Sequence, residues 1–256
     1  MRTSTIDGLL RASAREGIIS FAGGLPAAET FPHRALAQAS IEAVGDGKPS
    51  ALQYDWPEGR LVLRTLIATR MRSRGAMVEP EDVIITNGAQ DALAIAMEVI
   101  GALQVQVNTV TYPGALDVFE AAQCAPMAQA LQTVSYVMPA VSNPTGATMS
   151  SEARAQCLSA QIIIEDDAYA DLLFSGPPGR ALLADARDRV YYIGTFSKTL
   201  APGLRVGWLI APASVRAKVL EAKARRDVMT CGLTQAVVEK LLDSPGFEGR
   251  LEKLRT

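Results

Sequence analysis

The stretch YYIGTFSKTLAPGLRVGW, residues 191–208, holds two apolar segments that read as strands, with Lys198 between them and Arg205 seven residues later. An ammonium at the end of a buried strand is costly unless it is paired or chemically altered. The segment on its N-terminal side, RVYYIGT (189–195), is one of a series: DVIIT (82–86), VQVNTV (105–110), VSYVMP (134–139) and QIIIED (161–166) precede it, and VGWLIAP (206–212) follows. These short runs are nearly continuous in apolar and β-branched residues, the pattern of strands buried on both faces. Helical patterns lie around them, at 34–45, 58–75, from the turn NGAQ (87–90) to Ile100, and at 113–123, 214–226 and 234–242. In 58–75, Leu61, Leu63, Leu66, Ile67 and Met71 read as one apolar face. Strands alternating with helices predict an α/β fold, three layers deep (α/β/α), with a mostly parallel central sheet.

The composition narrows the possible functions. Of 256 residues, 48% are apolar and 20% charged, ample material for one large domain. A net charge of −2 favours neither nucleic acid nor an anionic membrane as partner. No apolar run reaches the length of a bilayer span, and MRTSTIDGLL lacks the apolar centre of a signal peptide. Cys124, Cys157 and Cys231 are scattered and odd in number, so a reducing, cytoplasmic setting is expected rather than a disulfide framework. The single histidine, His33, has no second His or nearby Cys with which to hold zinc, and it reads as a surface residue at a helix start. No metal is expected. Chemistry falls to Lys, Tyr, Asp and Arg, or to a cofactor.

In sheets of this kind ligands bind beyond the carboxyl ends of the strands. There the sequence places Asn87-Gly88-Ala89-Gln90, Thr111-Tyr112-Pro113-Gly114, Ser142-Asn143-Pro144-Thr145-Gly146, Asp166-Asp167-Ala168-Tyr169 and Thr195-Phe196-Ser197-Lys198. Free amides at the helix start after Asn87, with hydroxyls at Thr195 and Ser197 and a cation at Arg205, suit a phosphate. Taken alone, the same turn is also an ordinary strand–helix connection. A nucleotide site of the G-x-x-x-x-G-K-[ST] kind fails at both places it could sit, because Pro49 replaces the hydroxyl residue in one and Ser197 the second glycine in the other. Pyridoxal phosphate needs a lysine, a carboxylate for its ring nitrogen and a phosphate cradle, and Lys198, Asp166 and the turn at 88–90 supply all three. The plain alternative for Lys198 is a snorkelling surface residue.

Seven segments in order, ISFAGGLPAAETFP, ALQYDWPEG, VIITNGAQDAL, TYPGALDVF, VSNPTGATMS, IIIEDDAYADLLF and GTFSKTLAPGLRVGW, resemble the fold-type I, pyridoxal phosphate-dependent aminotransferases of class I/II. Within these the chain is most similar to the 2-aminoadipate aminotransferase branch, which is related to the effector domains of MocR-type regulators. The resemblance implies that Lys198 forms the Schiff base and then moves the substrate proton, that Asp166 pairs with the ring nitrogen, and that Tyr169 and Asn143 bind the ring's phenolic oxygen. It also implies that Tyr112 stacks on the ring, that Gly88, Ala89, Gln90, Thr195, Ser197 and Arg205 bind phosphate, and that Gly23 and Gly24 lie near the substrate. Tyr54 would reach the cofactor of the neighbouring subunit in a homodimer. Asp167 is not assigned to the cofactor and is expected to be solvated or to cap a helix.

The activity implied is amino transfer between an L-amino acid and a 2-oxo acid. The alternatives are a cofactor-binding sensor or incomplete remnant without turnover, and a fold-type I lyase. By the same resemblance, residues 1–47 are an N-terminal arm with part of a small domain, 48–243 the cofactor-binding large domain, and 244–256 the start of an interdomain helix. The rest of the C-terminal small domain is expected to be missing, and no residue matches the arginine that it supplies for the substrate carboxylate.

Overall fold

Runs of three to six residues pair into one sheet in the computed structural model, which describes residues 24–45, 51–128, 133–176 and 179–256, together with 8, 11, 12, 15–17 and 19. The strands are β1 (Val83–Thr86), β2 (Gln104–Gln106), β3 (Ala125–Met127), β4 (Val134–Val137), β5 (Ile162–Asp166), β6 (Val190–Thr195) and β7 (Gly207–Ile210). Their order across the sheet is β1-β7-β6-β5-β4-β2-β3. Neighbours from β3 to β6 are parallel, while β7 runs antiparallel to both β6 and β1. The cause is the length of the β6–β7 connection. Residues 196–206 contain only one short 3₁₀ turn, Pro202–Leu204, and so provide no crossover helix to bring β7 back in parallel.

Eight α-helices flank the sheet among the described residues: α1 (His33–Gly45), α2 (Leu61–Ser73), α3 (Ala89–Ile100), α4 (Pro113–Ala121), α5 (Ser151–Cys157), α6 (Arg216–Asp227), α7 (Gly232–Leu242) and α8 (Gly246–Arg255). Strand side chains alternate between faces. Ile85, Ile163, Tyr192 and Trp208 pack with Ile67, Val237 and Leu251 of α2, α7 and α8. Ile84, Ile164, Ile193 and Leu209 pack with Leu93, Phe119 and Val219 of α3, α4 and α6. The two apolar layers enclose the sheet, giving the three-layer fold that the alternating pattern predicts.

Several local expectations change. The strand expected at 105–110 is only β2, and the sequence pattern shows no β3, which has mostly exposed residues and Pro126 near the sheet edge. Helix α5 is short and gives little periodic signal. Cys157 is its only buried residue, so it has no apolar periodicity, and its start is fixed by Ser150 Oγ accepting from the Ala153 amide at 3.2 Å. In α2 the buried line is Leu63, Ile67 and Met71, whereas Leu61 is 57% exposed. Two residues from Leu63, Leu61 points about 200° away around the helix and cannot share its face. His33 is exposed and opens α1, as expected.

Truncating the two side chains separates these positions. Ile67→Ala should cost about 2–5 kcal/mol of stability by opening a cavity, and Leu61→Ala should stay within about 0.5 kcal/mol, both measured by denaturant unfolding.

Candidate active site

The strands β1, β4, β5 and β6 point the same way and end on one edge of the sheet, where β7 begins. After β1 the chain turns at Gly88 (φ 88°) into α3. A Cβ on Gly88 would lie 2.6 Å from Arg205 Nη2, and one on Gly207 would lie 2.7 Å from the Gly88 carbonyl carbon and 2.9 Å from the Ala89 nitrogen. Two glycines thus let the helix start settle against the first residue of β7 with a guanidinium beside it. Arg205 donates from Nη2 to the Asn87 carbonyl at 2.8 Å. Thr195 Oγ1 and Ser197 Oγ are 2.9 Å apart, and the Ser197 amide donates to Thr195 Oγ1. Gln90 spans two helix starts, its Nε2 donating to the Gly114 carbonyl at 2.7 Å.

Beside this cup lie the groups that follow β4 and β5. Asn143 Nδ2 donates to the Tyr169 hydroxyl at 3.1 Å, and Lys198 Nζ lies 5.6 Å from the centre of the Tyr169 ring. Lys198 Nζ also donates to the Gly24 carbonyl at 3.1 Å. Burial pushes the Lys198 amine below the ordinary lysine range, and the charge of Asp166 pulls the other way. Tyr112 caps the start of α4, and burial pushes its hydroxyl up to about 12. Burial raises Tyr169 as well, against the hydrogen bond from Asn143.

Asp166 is the most constrained of these groups. It is 4% exposed at the last position of β5, and its Oδ2 accepts the Tyr136 hydroxyl at 2.7 Å. Burial raises its carboxyl to about 6, opposed by the Tyr136 hydrogen bond. Its Oδ1 is buried with no hydrogen-bond partner among the described residues. A buried acceptor left without a donor is expensive, so this oxygen calls for a donor from a bound molecule.

Not every expected residue joins the cluster. Gly23 lies outside the described residues, and Tyr54 is 81% exposed on the surface of this chain. Asp167 departs from expectation. It is buried, not solvated, and one residue on from Asp166 it turns to the opposite face of the sheet. There it pairs with the buried Arg74 and accepts the Tyr192 hydroxyl at 3.1 Å, while Arg74 Nη1 donates to that same hydroxyl at 2.7 Å. Tyr136 was also missed as a site residue. The clue was a phenol inside a strand buried on both faces, since such a hydroxyl needs a partner.

Residues 17–256 match the family Aminotransferase class I and II. The chain is 35% identical to the 2-aminoadipate transaminase of Thermus thermophilus, over all of this chain and 70% of that protein. This chain belongs to the class I and II aminotransferases. It is similar in structure to the alpha-aminoadipate aminotransferase of Thermus thermophilus complexed with N-(5'-phosphopyridoxyl)-L-leucine, with a TM-score of 0.84 and 33% identity over 99% of this chain and 70% of that one. Pyrococcus horikoshii kynurenine aminotransferase, solved with PMP, matches at a TM-score of 0.89 and 30% identity over 100% of this chain and 71% of that one. The chain is accordingly a fold-type I aminotransferase, moving an amino group between an amino acid and a 2-oxo acid with pyridoxal phosphate as cofactor. The residues present fit that cofactor: the unpartnered Asp166 Oδ1 suits a ring N–H, and the glycine-lined helix start suits a phosphate.

The Tyr136–Asp166 bond carries a pH signature. Because the bond lowers the Asp166 pKa, its stabilisation is full when Asp166 is ionised, above about pH 6, and is lost as pH falls through that value. In the cofactor-free chain, Tyr136→Phe should cost about 1.5–3 kcal/mol at pH 8 and less than about 1.5 kcal/mol at pH 5, compared by urea unfolding at both pH values.

Proposed function

We propose that this aminotransferase works through Lys198 as its catalytic lysine, with Asp166 and Tyr169 tuning the cofactor, and the orphaned Asp166 Oδ1 is the observation that carries the reading. When bound, pyridoxal phosphate supplies an aldehyde that takes up the substrate amine and a ring that draws negative charge from Cα. Lys198 Nζ would hold the cofactor between turnovers and move the proton taken from the substrate Cα. Its lowered pKa supports this, since a neutral amine is reached at lower pH than for an exposed lysine. Asp166 Oδ1 would accept from the ring nitrogen, and Tyr136, by holding Oδ2, would keep that carboxylate ionised and oriented.

The Tyr169 hydroxyl, aligned by Asn143, would donate to the phenolic oxygen, and Tyr112 would cover the ring. The phosphate would take the amides of Gly88, Ala89 and Gln90, with Thr195, Ser197 and Arg205. Gly23 and Gly24 would line the substrate side, where the Gly24 carbonyl already meets Lys198. The working unit would be a cytoplasmic homodimer. Leu52, Tyr54 and Trp56 are all exposed, a run of large apolar side chains that a second copy would cover while Tyr54 reached its phosphate. Residues 48–243 would form the large domain, with residues 1–47 as arm and part of the small domain, and 244–256 opening the interdomain helix. The named relatives favour 2-aminoadipate as amino donor, with aromatic amino acids and, from the leucine adduct held by the Thermus thermophilus structure, leucine-like ones as competitors.

A donor panel tests the reading. The protein should release a 2-oxo acid from 2-aminoadipate in the presence of an acceptor oxo acid, and Lys198→Ala should lower turnover by at least about 10³-fold. Undiminished transamination in that variant would refute the role of Lys198. Cofactor binding by the unaltered chain with no turnover on any donor would favour the sensor instead.

A further inference from the structure

On the α6 side of the sheet, a second charged network ends on the turn that precedes Gly88. Lys223, 0% exposed inside α6, has its ammonium 2.6 Å from both carboxylate oxygens of Asp227. Asp227 Oδ2 in turn accepts from Asn87 Nδ2. The same Asn87 donates its backbone N–H to Asp91 Oδ2 at 3.1 Å, and its carbonyl accepts from Arg205 Nη2 at 2.8 Å. Arg226 in turn donates to the other oxygen of Asp91 at 3.2 Å. Asn87 is therefore fixed at its amide, its carbonyl and its side chain.

Stability alone is a poor reason for such a network. A fully buried ammonium gains little net stability from its partner, because desolvation offsets the attraction. The chain also holds Val228, directly after Asp227, at φ 61°, a value that β-branched residues rarely adopt. Strain of that kind persists where the surroundings over-determine a conformation. What the network does determine is the direction of the Asn87 carbonyl, and with it the guanidinium of Arg205, in the space left by the missing Cβ of Gly88.

We propose that Lys223 and Asp227 are positioning residues that preset, through Asn87, the Gly88 turn and Arg205 to receive a phosphate monoester. The pair touches no ligand itself. This inference rests on the reading of Gly88, Ala89, Gln90 and Arg205 as the phosphate cup. It assigns the phosphate part of cofactor affinity, and not the ring part, to a charge pair behind the site.

The test uses pyridoxine 5'-phosphate and pyridoxine, which carry no aldehyde and so cannot be captured covalently by lysines. Their dissociation constants are measured by fluorescence titration of the full chain freed of cofactor. The unaltered chain should prefer the phosphate ester. Asn87→Ala, and the double variant Lys223→Met with Asp227→Asn, should each reduce that preference about tenfold, the scale of one charge-assisted hydrogen bond. Pyridoxine affinity should stay within about twofold in both, since the ring contacts are intact. An unchanged preference, or equal weakening of both ligands, would overturn the proposal and leave a structural role only. If circular dichroism shows the double variant unfolded, Asn87→Ala decides alone, because it removes one amide and leaves the charge pair in place. No preference in the unaltered chain would overturn the phosphate cup itself, and the proposal with it.

Discussion

Asp166 sits at the end of β5 with one carboxylate oxygen held by Tyr136 and the other without a hydrogen bond among the described residues, inside a sheet whose two faces are already covered by helices. Much of the architecture follows from keeping that arrangement intact. The apolar layers on both faces leave only the strand ends open to polar chemistry. The antiparallel return through β7 brings Gly207 to the same edge, where it makes room for the helix start at Gly88. Tyr136 comes from the neighbouring strand β4, so parallel pairing of β4 with β5 supplies the hydroxyl that steadies the carboxylate.

Two adjacent acids, Asp166 and Asp167, illustrate how the pleat sorts chemistry. One faces the open edge, makes no salt bridge among the described residues, and is raised by burial to about 6 against the pull of Tyr136 and Lys198. The other turns to the α2 side, where Arg74 neutralises it and Tyr192 orients it. Arg74 stands at the C-terminal end of α2, so the Asp166–Tyr169 segment is tied to the helical layer on the face opposite Asp166. Breaking a buried pair of this kind strands a charge, at a cost of about 3–5 kcal/mol.

The sequence disclosed the strand ends more fully than what lies behind them. β5 and β6 are plain because three or more β-branched or aromatic residues follow one another, and the polar groups after them are assigned to one edge by topology alone. β3 and α5 are not, since Ala125–Met127 and Ser151–Cys157 carry almost no buried apolar residue from which to read a period. Leu61 is apolar but falls off the buried line of α2, because two positions along a helix turn by about 200°. The supporting residues were hidden for another reason. Lys223 and Asp227 stand four apart on a helix, a spacing that ordinarily means a solvent-facing pair, and Arg74 lies 93 residues from its partner Asp167. Such contacts are set by packing, not by local pattern.

The eleven-residue connection between β6 and β7 has a consequence for how the protein can diversify. Both of its ends are paired strands, with Thr195 opposite Gly207 and Gly194 opposite Trp208. Lys198 is therefore carried on a hairpin clamped within the sheet, and Arg250 of α8 adds a second hold by donating to the Thr199 and Leu200 carbonyls that follow it. Loops and surface helices elsewhere can change shape while the Lys198 nitrogen keeps its place at the sheet edge.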